Sequence, residues 1–576
     1  MDVEAGEKRR KVGDGKALPQ PAWPWETRAF RTVWLVIACM AFPMLAFVSG
    51  VYKPPLVLIV GGYQGSSVQK QQSPRQPQPP PQFPLDDDDQ QTIFYGVSDE
   101  PRDKYLGGLL AAGFDEDTCQ SRYQSTMYRK PSPHKPSLYL LQKLRNYEQR
   151  HRRCAPYTAG YNSTLPFLNG GPAPEKETEC KYVLWWPWSG LGNRILSLTS
   201  AFLYALLNDR VLLIDRGKDM SGLFCEPFPD TTWLLPPDFP ITSFRFGGSD
   251  PLRYGALLSN KNISIDGTDG RPPPSLVYLH LPHYFDTDDM HFFCEPDQAV
   301  LKKVPWLLFS TNNYVVPGFF LNQEFEPELS RMFPEKETVF HHLGRYLFHP
   351  SNDVWGMITR YYRSYLAMAR ERVGIQIRVF SSKDAPFEVV SEQIINCTLK
   401  EGILPEVDGT TLTSGASAAD PTKTKAVLIT SLYSGYFEKL KDMYWEHPVA
   451  GGVTVSVHQP THEERQQTDK ESHDLKAWAE MYLLSLADVL VTSAQSTFGY
   501  VGQGLGGIRP WILVKPQKGM MPEPTCVREV SMEPCFHSPT TYICREKKNG
   551  DNANVVPFVT HCRDVSWGLK LVDRTK

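Results

Sequence analysis

Four stretches of the chain hold residue types that could do chemistry together. The first is Trp185-Trp186-Pro187-Trp188-Ser189-Gly190-Leu191-Gly192-Asn193-Arg194. Glycines there let a ligand approach the backbone, and the free N–H groups of a helix that starts at this point favour an anion. The same loop reads equally as an ordinary strand-to-helix turn, and Ile195 occupies the place of the third glycine of a dinucleotide fingerprint. The second is Arg378, late in Val373-Gly374-Ile375-Gln376-Ile377-Arg378-Val379-Phe380. Period-2 alternation puts Val373, Ile375, Ile377 and Val379 on one face and Gln376 and Arg378 on the other. A guanidinium there could grip a diphosphate through its planar fork of donors, or form a structural ion pair. The third is Thr492-Ser493-Ala494-Gln495-Ser496-Thr497-Phe498-Gly499-Tyr500, where Ser496 would cap a helix ending near Gly506-Gly507, and hydroxyls and amides would cradle phosphate. The fourth is the acidic run from His283 to His291, with Asp286, Asp288 and Asp289 beside histidines and aromatics. It could supply a general base or be a solvated loop.

Elements to position these groups are legible around them. Lys181–Trp186 predicts a strand, Asn193–Leu207 a helix and Val211–Asp215 a second strand, which make a βαβ unit. The rhythm returns at Val373–Phe380, Ala426–Thr430, Val453–Val457 and Val489–Val491, with a helix at Asp474–Ala487 carrying Leu475, Trp478, Tyr482 and Leu486 on one face. Tyr139, Leu140, Lys143, Leu144 and Tyr147 predict a packing helix before the first strand. Pro-rich loops fill much of Cys225–Pro305. The pattern predicts two α/β domains with parallel sheets and a ligand cleft beyond the carboxyl ends of their strands. Gly502-Gln503-Gly504-Leu505-Gly506-Gly507 matches GxGxxG but falls toward the end of a predicted helix, where that mechanism does not operate. P-loop, zincin and α/β-hydrolase signatures are absent from the sequence.

Composition bounds the rest. Of 576 residues, 41% are hydrophobic and 12% aromatic, so most of the chain folds. With 61 Lys+Arg against 64 Asp+Glu, no overall basic field points to nucleic acid. Forty-nine prolines exceed a background of about 5%, and many sit in one stretch. Residues 1–32 read as a cytosolic tail, and the uncharged run 33–52 is long enough to cross ~30 Å of hydrocarbon as one helix, with Pro43 inside it. Seven basic residues precede it (Lys8, Arg9, Arg10, Lys11, Lys16, Arg28, Arg31), against Lys53, Lys70 and Arg75 just after, which predicts a lumenal main part. Residues 53–100, rich in Pro and Gln and containing Asp86-Asp87-Asp88-Asp89, read as a disordered stem whose acids are solvated and hold no metal. Cys39 lies in the span. The other ten cysteines are even in number, suit disulfides in an oxidising compartment, and lack the tight pairs of a zinc site. Sequons at Asn162, Asn262 and Asn396 fit the same side of the membrane.

Gly190-Leu191-Gly192-Asn193-Arg194-Ile195-Leu196, Val373-Gly374-Ile375-Gln376-Ile377-Arg378 and Thr492 to Tyr500 closely resemble motifs of the plant α-1,2-fucosyltransferases of the xyloglucan type. So do LGGLLAAGFDEDTC from Leu106, YRKPSPHKPS from Tyr128, HHLGRYLFHP from His341 and LITSLYSGYF from Leu428, a resemblance running from about Asp103 to Pro516. It implies a variant GT-B fold, an acceptor domain over 101–355 and a GDP-fucose-binding domain over 356–576, both Rossmann-like and facing a cleft. It further implies a single-pass type II Golgi membrane protein that moves L-fucose, with inversion, from GDP-β-L-fucose to O2 of a galactose without a metal or other cofactor. The acceptor would be a wall polysaccharide, xyloglucan or an arabinogalactan, or a glycoprotein glycan. The alternative is a catalytically silent, membrane-anchored protein of the same fold that binds a GDP-sugar or glycan. A homodimer or a complex of Golgi enzymes is left open. Carried over by residue, Arg378 holds the diphosphate, Ser496, Thr497 and Phe498 line the phosphate and fucose site, and Asn193 and Arg194 close it. Gln495 stands where relatives tend to carry Trp, and the acidic run departs from its family form, so Asp289 is preferred as the base only among the three aspartates there.

Overall fold

The computed structural model describes residues 103–573 apart from 170, 218, 242–247, 264–271, 284–285, 408–419, 421, 468–469 and 554. These residues belong to one unit, Gln90–Lys576. The predicted tail, membrane helix and stem, with Cys39 and Asp86–Asp89, lie outside the described residues. So do Tyr284 and Phe285. No described helix is long and apolar enough to cross a membrane.

Two sheets organise the chain. In the first, β1 (Tyr182–Trp185), β2 (Val211–Ile214), β3 (Leu276–His280) and β4 (Trp306–Ser310) lie parallel in the order β2-β1-β4-β3. In the second, β5 (Glu371–Gln376), β6 (Thr424–Thr430), β7 (Thr454–His458), β8 (Val489–Ser493) and β9 (Trp511–Leu513) are parallel, and β10 (Cys526–Arg528) runs antiparallel at the edge, in the order β10-β9-β8-β5-β6-β7. The chain is therefore α/β with two parallel sheets, as the alternating pattern predicts. Strands covered on both faces read as continuous apolar runs, and β1 and β2 are buried throughout. Loops fill much of the interval from Cys225 to Pro305, as expected, but it also contains β3, an inner run of Leu276, Val277, Tyr278 and Leu279 that the flanking prolines obscured.

Helices fill both faces. The predicted packing helix is α1 (Leu138–Cys154), which buries Leu140, Leu144 and Tyr147. The helix after β1 is α2 (Leu191–Leu207), buried along nearly its whole length, as in the middle layer of a large core. Then come α3 (Val339–Leu347), α4 (Glu471–Leu484) and α5 (Thr497–Gly506). Helix α5 begins after Ser496 as predicted and ends on Gly507, whose φ of 68° is the left-handed conformation that glycine adopts at little cost. The glycines of the GxGxxG match serve packing: a Cβ on Gly504 would stand 2.3 Å from Phe340 of α3.

The last 44 residues, from Glu533, return to the segment between Cys294 and Phe340. Cys544 is bonded to Cys294, the buried Glu533 accepts from Tyr314 Oη at 2.6 Å and from the Phe340 amide at 2.7 Å, and the Phe558 and Phe320 rings lie 5.7 Å apart. All ten cysteines outside the span pair, the other bonds being Cys119–Cys225, Cys154–Cys180, Cys397–Cys526 and Cys535–Cys562.

Candidate active site

A cavity of about 620 Å³ lies beyond the carboxyl ends of strands from both sheets. Asn193 follows β1, His283 follows β3, Asn312 follows β4, Arg378 follows β5, Ser431 follows β6 and Thr497 follows β8, and all of them line it. Ligands collect there in open α/β sheets because the strand ends and helix starts leave backbone donors unspent, and this volume suits a nucleotide sugar.

The first and third motifs meet at this cleft. A Cβ on Gly192 would come within 2.8 Å of Thr497 Oγ1 and 2.9 Å of its carbonyl carbon, so only glycine lets the starts of α2 and α5 touch. Across the contact Thr497 Oγ1 donates to Asn193 Oδ1 at 3.0 Å, and Asn193 Nδ2 donates to the Asn312 carbonyl at 2.9 Å. Two helix N-termini, of 17 and 10 residues, thus converge on one wall and bring positive ends of their dipoles together. Flanking residues Ser189 and Gln495 carry φ of 73° and 62°, a conformation that costs non-glycine residues energy and collects at functional sites.

Strand β5 stops at Gln376, four residues before the predicted end at Phe380, but the predicted faces hold: Val373, Ile375 and Ile377 enter the core and Arg378 enters the cleft. The half-buried guanidinium donates to Gln466 Oε1 at 2.7 Å, and the Arg378 amide donates to Ser493 Oγ at 2.9 Å. Among the described residues no carboxylate pairs with it, and burial lowers its pKa from the usual arginine range. Nearby, Gln376 Oε1 and Thr430 Oγ1 are buried polar atoms of the cleft wall without a hydrogen-bond partner among the described residues, so both can accept from a group bound in the cleft and the hydroxyl can also donate to it. Two acids of the wall are held up by burial, Asp474 to about 7 and Glu480 to about 8, which reduces the negative charge facing an incoming anion.

Three of the predicted site residues stand elsewhere. Arg194 is 1% exposed and does not line the cleft. It donates from Nη1 to both carboxylate oxygens of Asp219, at 2.9 and 2.8 Å, and from Nη2 to Asp474 at 2.7 Å, so it fastens the start of α2 to α4. Ser496 is buried and is also not among the lining residues, leaving Thr497 and Phe498 of that trio in the cleft. Asp289 is 1% exposed, and its carboxylate accepts from Arg253 at 2.6 Å and from the Gly255 amide at 2.8 Å. Burial pushes its pKa up to about 6, but Arg253 and Gly255 occupy both oxygens, outside the cleft. Asp286 pairs with the same arginine and Asp288 accepts from Ser259 Oγ at 2.8 Å, so the acidic run clamps the helix Tyr254–Ser259. Of that run only His283 lines the cleft among the described residues.

In place of Asp289 the structure brings in residues from the returning tail. His537 lines the cleft, 5.8 Å from the His283 ring, and its Nε2 shares a 3.0 Å hydrogen bond with Tyr500 Oη. Tyr500 donates in turn to Asp564 Oδ2, which also accepts from the Gln495 amide at 2.9 Å, while Asp564 Oδ1 is buried without a partner. Burial holds His537 at a pKa of about 4, so the imidazole is neutral at physiological pH. Sequence periodicity gives no sign of His537 and Asp564, because both sit in irregular turns. Two clusters have the spacing of metal ligands among the described residues, His291/Cys294/Asp297 and Cys535/Cys562/Asp564, but their cysteines are in disulfides and offer no thiolate.

The comparisons agree with the motifs. The chain matches the xyloglucan fucosyltransferase family over residues 86–545. It is 56% identical to the galactoside 2-alpha-L-fucosyltransferase of Arabidopsis thaliana over 83% of this chain and 85% of that protein, and 55% identical to the Pisum sativum protein of the same name over 82% of each. A solved mutant of Arabidopsis thaliana FUT1 in complex with GDP superposes with a TM-score of 0.75 at 55% identity, over 82% of this chain and all of that one. The chain belongs to the xyloglucan fucosyltransferase family.

Proposed function

We propose that the protein transfers L-fucose from GDP-β-L-fucose to O2 of a galactose in a cell-wall glycan, with inversion. It is a fucosyltransferase, a glycosyltransferase of the family named above. The observation that carries the donor assignment is Arg378, an arginine that faces a cleft of nucleotide-sugar size and has no carboxylate partner among the described residues, beside the converging starts of α2 and α5. A diphosphate leaving with negative charge would find a guanidinium and two sets of helix amides already aimed at it. These groups can meet that charge without a metal. Thr497, Phe498 and Asn193 would flank the fucosyl group.

Inversion requires the attacking hydroxyl to lose its proton as the fucosyl bond breaks. His537 is our candidate for that base, oriented by Tyr500 and Asp564 and neutral at working pH. A GT-B arrangement, with an acceptor domain over 101–355 and a donor domain over 356–576, fits two parallel sheets whose carboxyl ends share one cleft. A type II Golgi membrane protein fits the uncharged run 33–52 and the basic residues before it.

The test is transfer from labelled GDP-fucose by the full-length chain in detergent to a panel of galactose-terminated wall oligosaccharides, with EDTA present. Transfer to xyloglucan or arabinogalactan fragments is expected, with His537→Gln lowering kcat about a hundredfold at unchanged affinity for GDP. GDP binding with no transfer to any acceptor would replace the enzyme by a silent binding protein, and activity abolished by EDTA would refute the metal-free mechanism.

A further inference from the structure

Among the described residues, two of the large hydrophobic side chains left in solvent belong to the cleft, Phe380 and Trp567, with 57% and 60% of their surface exposed. Trp567 stands apart because the backbone beneath it is fixed from every side. It sits in the turn Cys562–Gly568, between the paired strands Val559–His561 and Leu569–Leu571. Cys562 is bonded to Cys535, the Cys562 amide donates to the Gly568 carbonyl at 3.1 Å, and Asp564 is held by the Gln495 amide and Tyr500 Oη. A Cβ on Gly568 would lie 2.6 Å from Cys535 Sγ, so the chain next to the indole is packed against the disulfide. Five other tryptophans, Trp185, Trp233, Trp306, Trp355 and Trp478, are fully buried, as the hydrophobic effect favours. A rigid turn that instead holds an indole out at the mouth of a ligand cleft supplies a large apolar surface whose ordering entropy is already spent, the property that makes aromatic residues anchors in recognition.

We propose that Trp567 is the stacking platform for the galactosyl residue of the acceptor, an inference that rests on the transferase reading above. The chemistry of that sugar matches the site. The axial O4 of a galactopyranose leaves the hydrogens of C3, C4 and C5 together on the opposite face, an apolar patch that packs on an aromatic plane. The equatorial O2 stays at the rim of the ring, free to face the donor and the base. His283 and His537 lie in the same cleft, and His537 is only two residues from the Cys535 that fastens the Trp567 turn, so a sugar seated on the indole is placed near the candidate base. The acceptor is neutral, and the platform needs no charge.

The test is steady-state kinetics of the full-length wild type, Trp567→Phe and Trp567→Ala, varying GDP-fucose and a galactose-terminated oligosaccharide separately. GDP-fucose hydrolysis without acceptor and the thermal midpoint are measured beside them. Trp567→Ala is expected to raise the acceptor KM at least tenfold and Trp567→Phe only two- to threefold, with donor KM, hydrolysis and thermal midpoint unchanged. An acceptor KM within twofold of wild type in Trp567→Ala, or acceptor and donor KM rising together, would overturn the platform. A wild type that hydrolyses GDP-fucose yet fucosylates no galactoside would overturn the acceptor reading itself, a failure distinct from the first.

Discussion

Arg378 and Arg194 both come from motifs that point to an anion, and both follow the carboxyl end of a central strand, yet their surroundings give them opposite work. Arg378 is half-buried, faces the cleft and has only the amide side chain of Gln466 on its guanidinium among the hydrogen bonds described. Arg194, at the start of α2, is shut away between two carboxylates, Asp219 and Asp474. A guanidinium in reach of solvent but without a counter-ion keeps its Coulomb attraction for a ligand, whereas one already neutralised by two aspartates has little left to offer. Membership of a motif that resembles a family's says that a residue matters. The partners on either side decide whether it matters to the ligand or to the frame.

The comparison is broken most sharply by truncating each arginine in turn. Arg378→Ala should lower kcat/KM for GDP-fucose about a thousandfold, since one preorganised donor to a developing oxyanion is worth a hundred- to a thousandfold and a charged fork sits at the upper end. Its thermal midpoint should stay at the wild-type value, because no buried partner is orphaned. Activity within tenfold of wild type would remove Arg378 from the diphosphate site.

Arg194→Ala should do the reverse. It leaves Asp219 and Asp474 facing each other without a cation, and removing one member of such a buried group costs about 3–5 kcal/mol. The expected result is a large fall in thermal midpoint and yield, while the folded fraction keeps a GDP-fucose KM close to wild type. A stable variant that has lost donor affinity would restore Arg194 to the site and cancel the contrast.

Why the sequence told the two apart so poorly is a matter of distance along the chain. Strands such as Val211–Ile214 and helices such as Leu191–Leu207 are legible because burial on both sides leaves an apolar run with glycine or polar residues at its ends. The faces of β5 were readable from period-2 alternation, and with them the direction of Arg378. The partners of Arg194 were not, since Asp474 is 280 residues away and the hydrogen bond that defines its role has no local trace. Asp289 illustrates the same limit: an acid beside histidines reads as a base until Arg253 and Gly255, 36 and 34 residues earlier, are seen to occupy both its oxygens. The tail was the least legible. Its turns carry His537 and Trp567 to the cleft, and Asp564 to Tyr500 behind it, through disulfides and single hydrogen bonds, which leave no periodicity in the sequence.

A smaller effect sharpens the comparison further, because only the frame arginine is linked to a carboxyl that titrates near neutrality. Burial and the neighbouring Asp219 push Asp474 up to about 7, against the opposing pull of Arg194. A carboxyl whose folded value lies above its unfolded one, about 3.9, binds its proton more tightly in the native state. Between about pH 4 and pH 7 the native state therefore carries more protons than the unfolded chain, and this group's contribution to stability is greatest at the acid end and declines as pH rises. Asp474→Asn cannot ionise and still offers Arg194 an acceptor oxygen. Its thermal midpoint should gain on wild type progressively from pH 4 to pH 7 and then run parallel to it, whereas Arg378→Ala should track wild type throughout. Parallel curves for Asp474→Asn over the whole range would show that Asp474 stays ionised in the folded protein and that the Arg194 cluster carries a full negative charge.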